Sequence, residues 1–329
     1  MQSETASEVP LLASERRGPS ADQLFGIGLA LAGTSVLVVL AAMIVSTTVD
    51  AWPVFRASGL SIITSADWDP GTSRTEITGQ YGALTFIVGT LLTSGIALLI
   101  AVPLAVACAV YLTQVAPQRV RDPLTYAIEL LAAVPSVVYG LWGLLFFVPV
   151  VLRPVMMFIA DTVGTVVPFL GGPVVTYNVF AAGVVLALMV LPIITAVSRE
   201  VIANTPVDEI NGAYALGSTR WEMIRDVVLP RARPGIIGAT MLGLGRALGE
   251  TVAVAMLIGG SQKLPGSIFS GAQSMAGLIA TTFQEAAPEH IRALMAVGVV
   301  LFLITVAVNM AARMIVWATG GRVAGDAAV

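Results

Sequence analysis

Two ionisable residues of opposite charge, Arg246 and Glu250, stand four positions apart inside an apolar stretch of the sequence. This spacing places both side chains on one helix face, where they can form an ion pair. A charge at the centre of a bilayer costs about 2.5–3.5 kcal/mol on insertion scales, so such residues usually face a protein interior or an aqueous path. A guanidinium stays ionised and donates two parallel hydrogen bonds to an oxyanion.

Two interpretations of this pair stay open. In the first, Arg246 binds a passing anion, as Arg and Lys do in anion pores, while Glu250 orients the guanidinium and keeps it from holding the anion too tightly. In the second, the two charges only lock the packing of helices. The neighbouring glycines at 243, 245 and 249 allow close helix approach and suit both interpretations.

A second polar group surrounds Pro135 in another apolar stretch. A proline removes a helical hydrogen bond, which a membrane span tolerates where neighbours or water satisfy the freed carbonyl. Ser136 and Tyr139 follow, so the segment is either a path lining or a kinked packing helix. Glu129 would bind an arginine of the cytoplasmic layer or mark that interface. The candidate path residues are Arg246, Glu250, Glu129, Ser136 and Tyr139.

The polar stretch 205–230 carries the signals of two short helices. Thr205 is placed as the N-cap of the first helix and Pro206 as its first residue. Gly217 is placed to end that helix in a left-handed conformation. We call the predicted helix–Gly–helix unit 205–230 the elbow.

The second helix of the elbow has a capping-box pattern, with Thr219 at the N-cap and Glu222 three positions later. Pro230 is expected to end this helix, because proline restricts the residue before it and cannot continue a helix.

The elements that must position these residues are membrane spans. Hydrophobic residues make up 57% of the chain, charged residues 11%, and the mean hydropathy is +0.89. A span needs about 20 apolar residues. Stretches of this length are too long for barrel strands, so we expect an all-α membrane protein. The six predicted spans are 24–49, 83–112, 124–151, 174–198, 235–260 and 292–318.

The distribution of Lys and Arg predicts the orientation of the chain. Eleven of these residues fall on the side of the elbow and five on the other side, which places both termini and the loop 199–234 in the cytoplasm. Residues 1–23 are expected to be a disordered cytoplasmic tail, and 319–329 a second tail. The first apolar run is expected to be a retained span. No basic stripe indicates nucleic-acid binding.

Several classes of function are excluded by what the chain lacks. A single cysteine, Cys108, and a single histidine, His290, in a predicted external loop, argue against disulfides and a metal site. The only lysine, Lys263, precedes Leu264, so the chain has no phosphate-binding P-loop and cannot hydrolyse ATP by that chemistry.

The elbow resembles the cytoplasmic coupling loop of ABC importer permeases. That family has E-A-A-x-x-x-G, nine residues, then I-x-L-P, and here Gly217 and Pro230 keep the spacing. Asn211 replaces the glutamate of the pattern, so no carboxylate role transfers to it. The residues for which the resemblance implies ATPase coupling are Asn211, Gly212, Ala213, Gly217, Glu222, Leu229 and Pro230.

Other stretches narrow the resemblance to permease subunits of phosphate ABC importers, of the PstC type. The stretches LAAVPSVVYGLWG and GRALGET, within 128–149 and 241–254, carry it most specifically, and the likeness covers most of 60–318. It implies a six-span bundle with the type I ABC importer permease fold. Arg246 and Glu250 match positions implicated in phosphate passage in that family.

The resemblance further implies a non-enzymatic subunit that forms half of a translocation path in a bacterial inner membrane. Its partners would be a second permease of the PstA type, two copies of an ATP-binding subunit of the PstB type, and a periplasmic or lipid-anchored phosphate-binding protein of the PstS type. The chain itself would bind no cofactor, whereas ATP and Mg²⁺ would be used by the partner ATPase.

Three alternatives remain at this point. A permease for molybdate or sulfate would have the same coupling loop. A membrane-embedded enzyme would need a cluster of His, Asp or Glu within the membrane, and the chain offers only Glu129 and Glu250 on different spans. A purely structural assembly subunit would have no use for Arg246.

Overall fold

The computed structural model describes residues 21–69 and 79–318. The predicted tails lie outside this range except for residues 21–23, as does Arg74. The α-helices are α1 (Ala21–Ser58), α2 (Ser61–Thr64), α3 (Leu84–Val110), α4 (Gln118–Ala133), α5 (Ser136–Trp142), α6 (Arg153–Thr162), α7 (Val179–Ala203), α8 (Val207–Ala215), α9 (Arg220–Met223), α10 (Leu229–Gly249), α11 (Val252–Leu257), α12 (Met275–Thr282) and α13 (Pro288–Ala318).

Other short elements complete the described chain. A two-residue hairpin pairs β1 (Trp68–Asp69) with β2 (Gln80–Tyr81) in antiparallel register. Two 3₁₀ turns cover Val163–Thr165 and Pro168–Leu170, and three π-helical segments cover Tyr111–Val115, Gly143–Leu152 and Ile224–Val228. The chain divides into two compact units after Ser46, so the apolar first part of α1 is a unit of its own.

Five helical stretches of the described residues are long and apolar enough to cross a membrane. Each overlaps one of the predicted spans, and the fold is a helical membrane bundle. The stretches are Gln23–Ser58, Leu84–Val115, Ser136–Thr165, Val179–Ala203 and Pro288–Met314.

The third predicted span, 124–151, is not one helix. α4 ends at Ala133, and Val134 and Pro135 are extended, with ψ of 127° and 140°. The residue before a proline avoids the helical conformation, which explains the break. The long apolar helical stretch starts only at Ser136 and runs without interruption to Thr165.

The fifth predicted span, 235–260, is also wrong as a single helix. α10 begins earlier, at Leu229, and ends at Gly249. α11 then supplies only Val252–Leu257. The break falls at Glu250, where the backbone is extended, so an apolar run in the sequence does not reveal where its helix stops.

The core packs α3, α7 and α10 closely through small residues. Ala97, Ala101 and Ala105 recur every four positions on α3 and are fully buried. A Cβ at Gly183 of α7 would come within 2.7 Å of the Ile96 side chain, and a Cβ at Gly243 within 2.6 Å of Ile194. Small residues let helix backbones approach in this way where no hydrophobic effect drives association.

At the opposite end of the bundle from the elbow, the hairpin is tied to the start of α13. Glu289 is buried, and its Oε1 accepts hydrogen bonds from the Gly79 amide at 3.0 Å and the Tyr81 hydroxyl at 2.9 Å. His290, predicted in a loop, instead lies in the first turn of α13 beside the Trp68 ring. The loop prediction was wrong because α13 begins at Pro288, and proline is compatible with a first helical turn.

Candidate functional site

The helix that carries Arg246 ends before it reaches Glu250. α10 stops at Gly249, and Glu250 has φ −69° and ψ 126°. Its Oε1 accepts a hydrogen bond from the Ala253 amide at 3.4 Å, in the first turn of α11. The prediction that these two residues pair on one helix face is therefore wrong. The extended backbone removes the i,i+4 geometry, and these two described residues form no ion pair.

Arg246 lies in the last turn of α10, and its side chain is exposed at the surface of the chain. A cation near a helix C-terminus interacts favourably with the helix dipole and the free carbonyls there. A Cβ at Gly245 or Gly249 would have no neighbour within 4 Å, unlike a Cβ at Gly243. The face of α10 that carries Arg246 is thus open in this chain.

Ser136 and Tyr139 both lie in the first turn of α5, directly after the break that follows α4. Ser136 is the first residue of α5. The hydroxyl of Tyr139 donates to the Leu131 carbonyl at 2.9 Å. This bond crosses the break and adds a second donor to a carbonyl that also accepts from the Val134 amide at 3.3 Å.

Close packing of α5 on α11 brings the two breaks together. A Cβ at Gly140 would lie 3.0 Å from Ala253 Cα and 2.9 Å from Met256 Sδ. Arg246 lies in the last turn of α10, a few residues before α11 begins. The structure therefore gathers a guanidinium, a phenol and the end of a helix in the membrane-embedded part of the chain.

An apolar cavity of about 360 Å³ lies beside the α4–α5 break. Tyr139 supplies the one hydroxyl group of its lining, and the other lining residues are Leu131, Val134, Val138, Trp142, Leu188 and Leu191. Such a lining has few hydrogen-bond donors for an anion. The polar groups near Arg246 therefore lie next to a hydrophobic surface.

Glu129 has a different partner from the other candidate path residues. Its Oε1 lies 3.2 Å from Arg199 Nη2 of α7. Arg199 also donates from Nη1 to the Thr125 hydroxyl at 2.6 Å. Glu129 therefore binds an arginine, as one of the two interpretations predicts, and this contact joins α4 to α7.

The first helix of the elbow ends as its glycine predicts. Gly217 has φ +85°. Its amide donates to the Tyr214 carbonyl at 3.0 Å, and the Ser218 amide donates to the Ala213 carbonyl at 3.1 Å. These two bonds form a Schellman motif, which satisfies carbonyls at the end of α8.

The second helix of the elbow begins with the predicted capping box. The Glu222 amide donates to the Thr219 hydroxyl oxygen at 3.4 Å, and Glu222 Oε2 accepts from the Thr219 amide at 2.7 Å. Hydrogen bonds from the Thr219 backbone, and then from its side chain, lower the pKa of the Glu222 carboxyl below its ordinary value. The elbow is thus closed by its own residues at the turn.

Two of the cap predictions in the elbow are wrong. The Thr205 hydroxyl donates back to the Ile202 carbonyl at 2.9 Å, and Pro206 occupies the N-cap. Pro230 does not stop a helix, because it lies in the first turn of α10, directly after the π-helical segment Ile224–Val228. The backbone stays helical from the π-helical segment into α10, and the wider π turn leaves room for the proline ring.

One face of the elbow packs on the bundle while another is exposed. Ala213 is buried with the apolar residues of α9 and the segment that follows it, and Leu229 packs against them. Asn211 and Gly212 are exposed.

Large exposed apolar side chains gather on the elbow, with exposed fractions of 67% for Val207, 44% for Tyr214, 89% for Leu216 and 65% for Trp221. A group of exposed apolar side chains of this kind indicates a protein-binding surface.

Which arginines join elements far apart in the chain could not be identified from the sequence. Arg220 of α9 donates to the Gln114 carbonyl at the end of α3, and Arg199 of α7 binds α4. No local pattern reveals these contacts. Pro135, by contrast, is a signal from which the break after α4 could have been predicted.

The family model for "Binding-protein-dependent transport system inner membrane component" matches residues 101–316. Curated relatives carry the name "Phosphate transport system permease protein PstC". The Haemophilus influenzae protein is 41% identical over 298 residues, which is 90% of this chain and 93% of the relative. The Xylella fastidiosa strain 9a5c protein is 42% identical over 302 residues, or 91% of each chain.

Solved structures share the fold at low sequence identity. An inward-facing MetNI methionine ABC transporter superposes with a TM-score of 0.50 at 18% identity, over 73% of this chain and 95% of that chain. A bacterial ABC transporter involved in the import of the acidic polysaccharide alginate gives a TM-score of 0.50 at 16% identity, over 86% of this chain and 96% of that chain.

Proposed function

This chain belongs to the family of binding-protein-dependent transport system inner membrane components, and we propose that it is the transmembrane permease subunit of an ATP-driven importer of inorganic phosphate. One observation carries the choice of substrate. Relatives named as phosphate transport permeases match about nine-tenths of this chain at about 40% identity. Transport subunits of this family are not themselves enzymes.

In the proposed mechanism, Arg246 binds phosphate on its way through the membrane. Its planar guanidinium can donate two parallel hydrogen bonds to phosphate oxygens. Ser136 and Tyr139 lie at the neighbouring break and would line the path, with the Ser136 hydroxyl available as a donor while the Tyr139 hydroxyl donates to Leu131. Glu250 is held by the α11 amide rather than by Arg246, which leaves the guanidinium available to the anion. Glu129 supports the path from outside it, through the contact between α4 and α7.

The chain would supply only half of the path, with a second permease of the PstA type supplying the other half. The exposure of Arg246 supports this proposal, because a charge in a membrane-embedded element needs protein or water around it. A phosphate-binding protein of the PstS type, periplasmic or lipid-anchored, would deliver the anion from outside.

Two copies of an ATP-binding subunit of the PstB type would provide the energy, and ATP and Mg²⁺ would be bound there rather than by this chain. The exposed apolar side chains of the elbow support docking of the ATPase at this position. ATP-driven closure of the ATPases would push the elbow and rotate the spans in an alternating-access cycle. The capped helices of the elbow give that motion a rigid element to act on.

The protein is a multi-pass membrane protein, and its place would be the bacterial inner membrane with both termini in the cytoplasm. The excess of Arg on the side of the elbow supports this orientation. A permease for sulfate or molybdate is not favoured, since the relatives are named for phosphate.

Uptake of labelled phosphate by phosphate-starved cells tests the proposal. Cells with and without this chain are compared, each challenged with excess sulfate or molybdate. We expect uptake to depend on the chain and to survive the challenge. Unchanged uptake in cells that lack the chain, or dependence of another oxyanion on it, would overturn the proposed substrate.

A further inference from the structure

The cytoplasmic end of α3 exposes carbonyl groups that its own helix cannot satisfy. α3 passes into the π-helical segment Tyr111–Val115 and ends where Ala116 turns to an extended ψ of 130°. The last carbonyls of any helix lack partners within that helix. Three carbonyls at this end, those of Thr113, Gln114 and Ala116, instead accept hydrogen bonds from guanidinium groups.

These guanidinium groups come from two places in the fold. Arg121 of α4 lies eight residues from Thr113 and donates from Nη2 to the Thr113 carbonyl at 3.2 Å and the Ala116 carbonyl at 3.4 Å. Arg220 is the first residue of α9 and donates to the Gln114 carbonyl across a sequence separation of 106 residues. One cation is therefore local to the end of α3, whereas the other belongs to the elbow.

Apart from the Arg220 contact, the described contacts of the elbow with α3 are apolar, whereas Glu209 of the elbow pairs with Arg231 of α10 at 3.9 Å. The cluster beneath the elbow includes Ala109 of α3 and Ile202 of α7, packed with Met223, Ile224 and Val228. Apolar burial holds surfaces together but is non-directional, so it allows them to slide. A charged hydrogen bond to a carbonyl is both directional and strong. Arg220 thus makes the directional contact between the elbow and α3.

The position of α3 in the bundle makes the Arg220 contact important for how motion of the elbow reaches this helix. The elbow is joined through the chain to α7 on one side and to α10 on the other. α3 has no such connection, yet its small residues pack tightly along α7. A push on the elbow reaches α7 and α10 through the backbone, while α3 depends on side-chain contacts.

We propose that Arg220 is a positioning residue that ties the elbow to the end of α3, so that α3 moves with the elbow during transport. This inference rests on the proposed coupling function of the elbow. In this role Arg220 transmits the motion of the elbow to α3, which is not linked to the elbow directly through the chain. The neighbouring Arg225, which is exposed and lies 3.7 Å from Asp226 of the same segment, has no such contact.

The test uses the whole complex reconstituted in liposomes, with phosphate transported per ATP hydrolysed as the readout. We expect Arg220→Ala to lower this ratio at least about fivefold while ATP hydrolysis persists, because coupling between sites typically changes an equilibrium by factors of this size or more. Arg220→Lys keeps a cation that can donate to the Gln114 carbonyl, and it should recover most of the ratio. Arg225→Ala is the matched control and should keep the wild-type ratio.

A purely structural role for Arg220 predicts different results. If Arg220 only caps the end of α3, its removal would affect assembly, but assembled complexes would keep the wild-type ratio of phosphate transported to ATP hydrolysed. This outcome would overturn the inference. If Arg220→Ala does not assemble, Arg220→Met carries the test, because it keeps the length of the side chain without a donor. Failure of Arg220→Met to assemble would also overturn the positioning role. Absence of phosphate transport by the wild-type complex would instead refute the proposed function.

Discussion

Arg199 of α7 binds Glu129 of α4 with an Nη2–Oε1 distance of 3.2 Å. The same guanidinium donates to the hydroxyl of Thr125 one turn earlier on α4. α4 has no buried residues of its own. A polar contact with α7 is therefore a main determinant of where α4 lies before the chain turns at Pro135.

The stabilisation from this ion pair should be small, because the Arg199 side chain is 30% exposed and that of Glu129 is 51% exposed. A double-mutant cycle with Glu129→Ala and Arg199→Ala should give a coupling energy of about 0.2–1 kcal/mol, as for other solvent-exposed pairs. Denaturant unfolding in detergent would measure it. A value that does not fall when salt is added would show that the pair is shielded from solvent in the assembled state.

Arg246→Ala should abolish phosphate uptake while the complex still assembles. Assembly should persist because Arg246 forms no ion pair with Glu250, so removal of the guanidinium leaves no buried partner charge unpaired. Glu250→Gln is the matched variant, because an amide oxygen can still accept from Ala253 and keep the start of α11. Uptake and co-purification of the partners are the measurements. Loss of assembly in Arg246→Ala would favour a structural role for this residue.

Gly217→Pro should uncouple ATP hydrolysis from uptake. Proline fixes φ near −65°, whereas Gly217 requires +85°. Left-handed backbone costs an ordinary L-residue about 1–2 kcal/mol, so Gly217→Ala should show a milder form of the same defect. Gly238→Ala is the control, because Gly238 is helical and has open space around it. Normal uptake by Gly217→Pro, measured alongside ATP hydrolysis, would contradict the assignment of the elbow as the coupling element.

The capping box should make the stability of the elbow depend on acid pH. The pKa of Glu222 is lowered in the folded state by hydrogen bonds from Thr219. The stabilisation from its charge is therefore complete above the unfolded value of about 4.3 and is lost as the pH falls through the lower folded value. The difference in thermal midpoint between wild type and Glu222→Gln should be constant from pH 7 to about 5 and then shrink. A difference that grows at low pH would contradict this sign.

Local sequence signals predicted the elbow well and the membrane breaks poorly. Gly217, Thr219 and Glu222 adopt the predicted conformations because each motif is completed within a few residues of chain. The break after Gly249 was missed because the apolar run continues through it, and hydropathy does not report backbone conformation. The i,i+4 rule then gave a wrong pair for Arg246, since the rule holds only on an unbroken helix.

Which residues pair between distant elements could not be identified from the sequence, although one interpretation had Glu129 binding an arginine of the cytoplasmic layer. Arg199 and Arg220 were visible in the sequence only as cytoplasmic charges. Their partners are a carboxylate on α4 and a carbonyl at the end of α3, and both become neighbours only after the helices pack. The position of Pro230 illustrates the same limit, because the π turn before it depends on the packing of the whole segment.

The elbow has both of its helices closed at the turn by residues of this chain, through the motifs at Gly217 and Thr219. Its backbone is therefore ordered when the permease folds, and an incoming subunit does not have to order it. The loss of conformational entropy that accompanies docking of a flexible loop is avoided, and more of the contact free energy remains available for affinity. Preorganisation of this surface favours a durable attachment, one that persists through many cycles of nucleotide exchange.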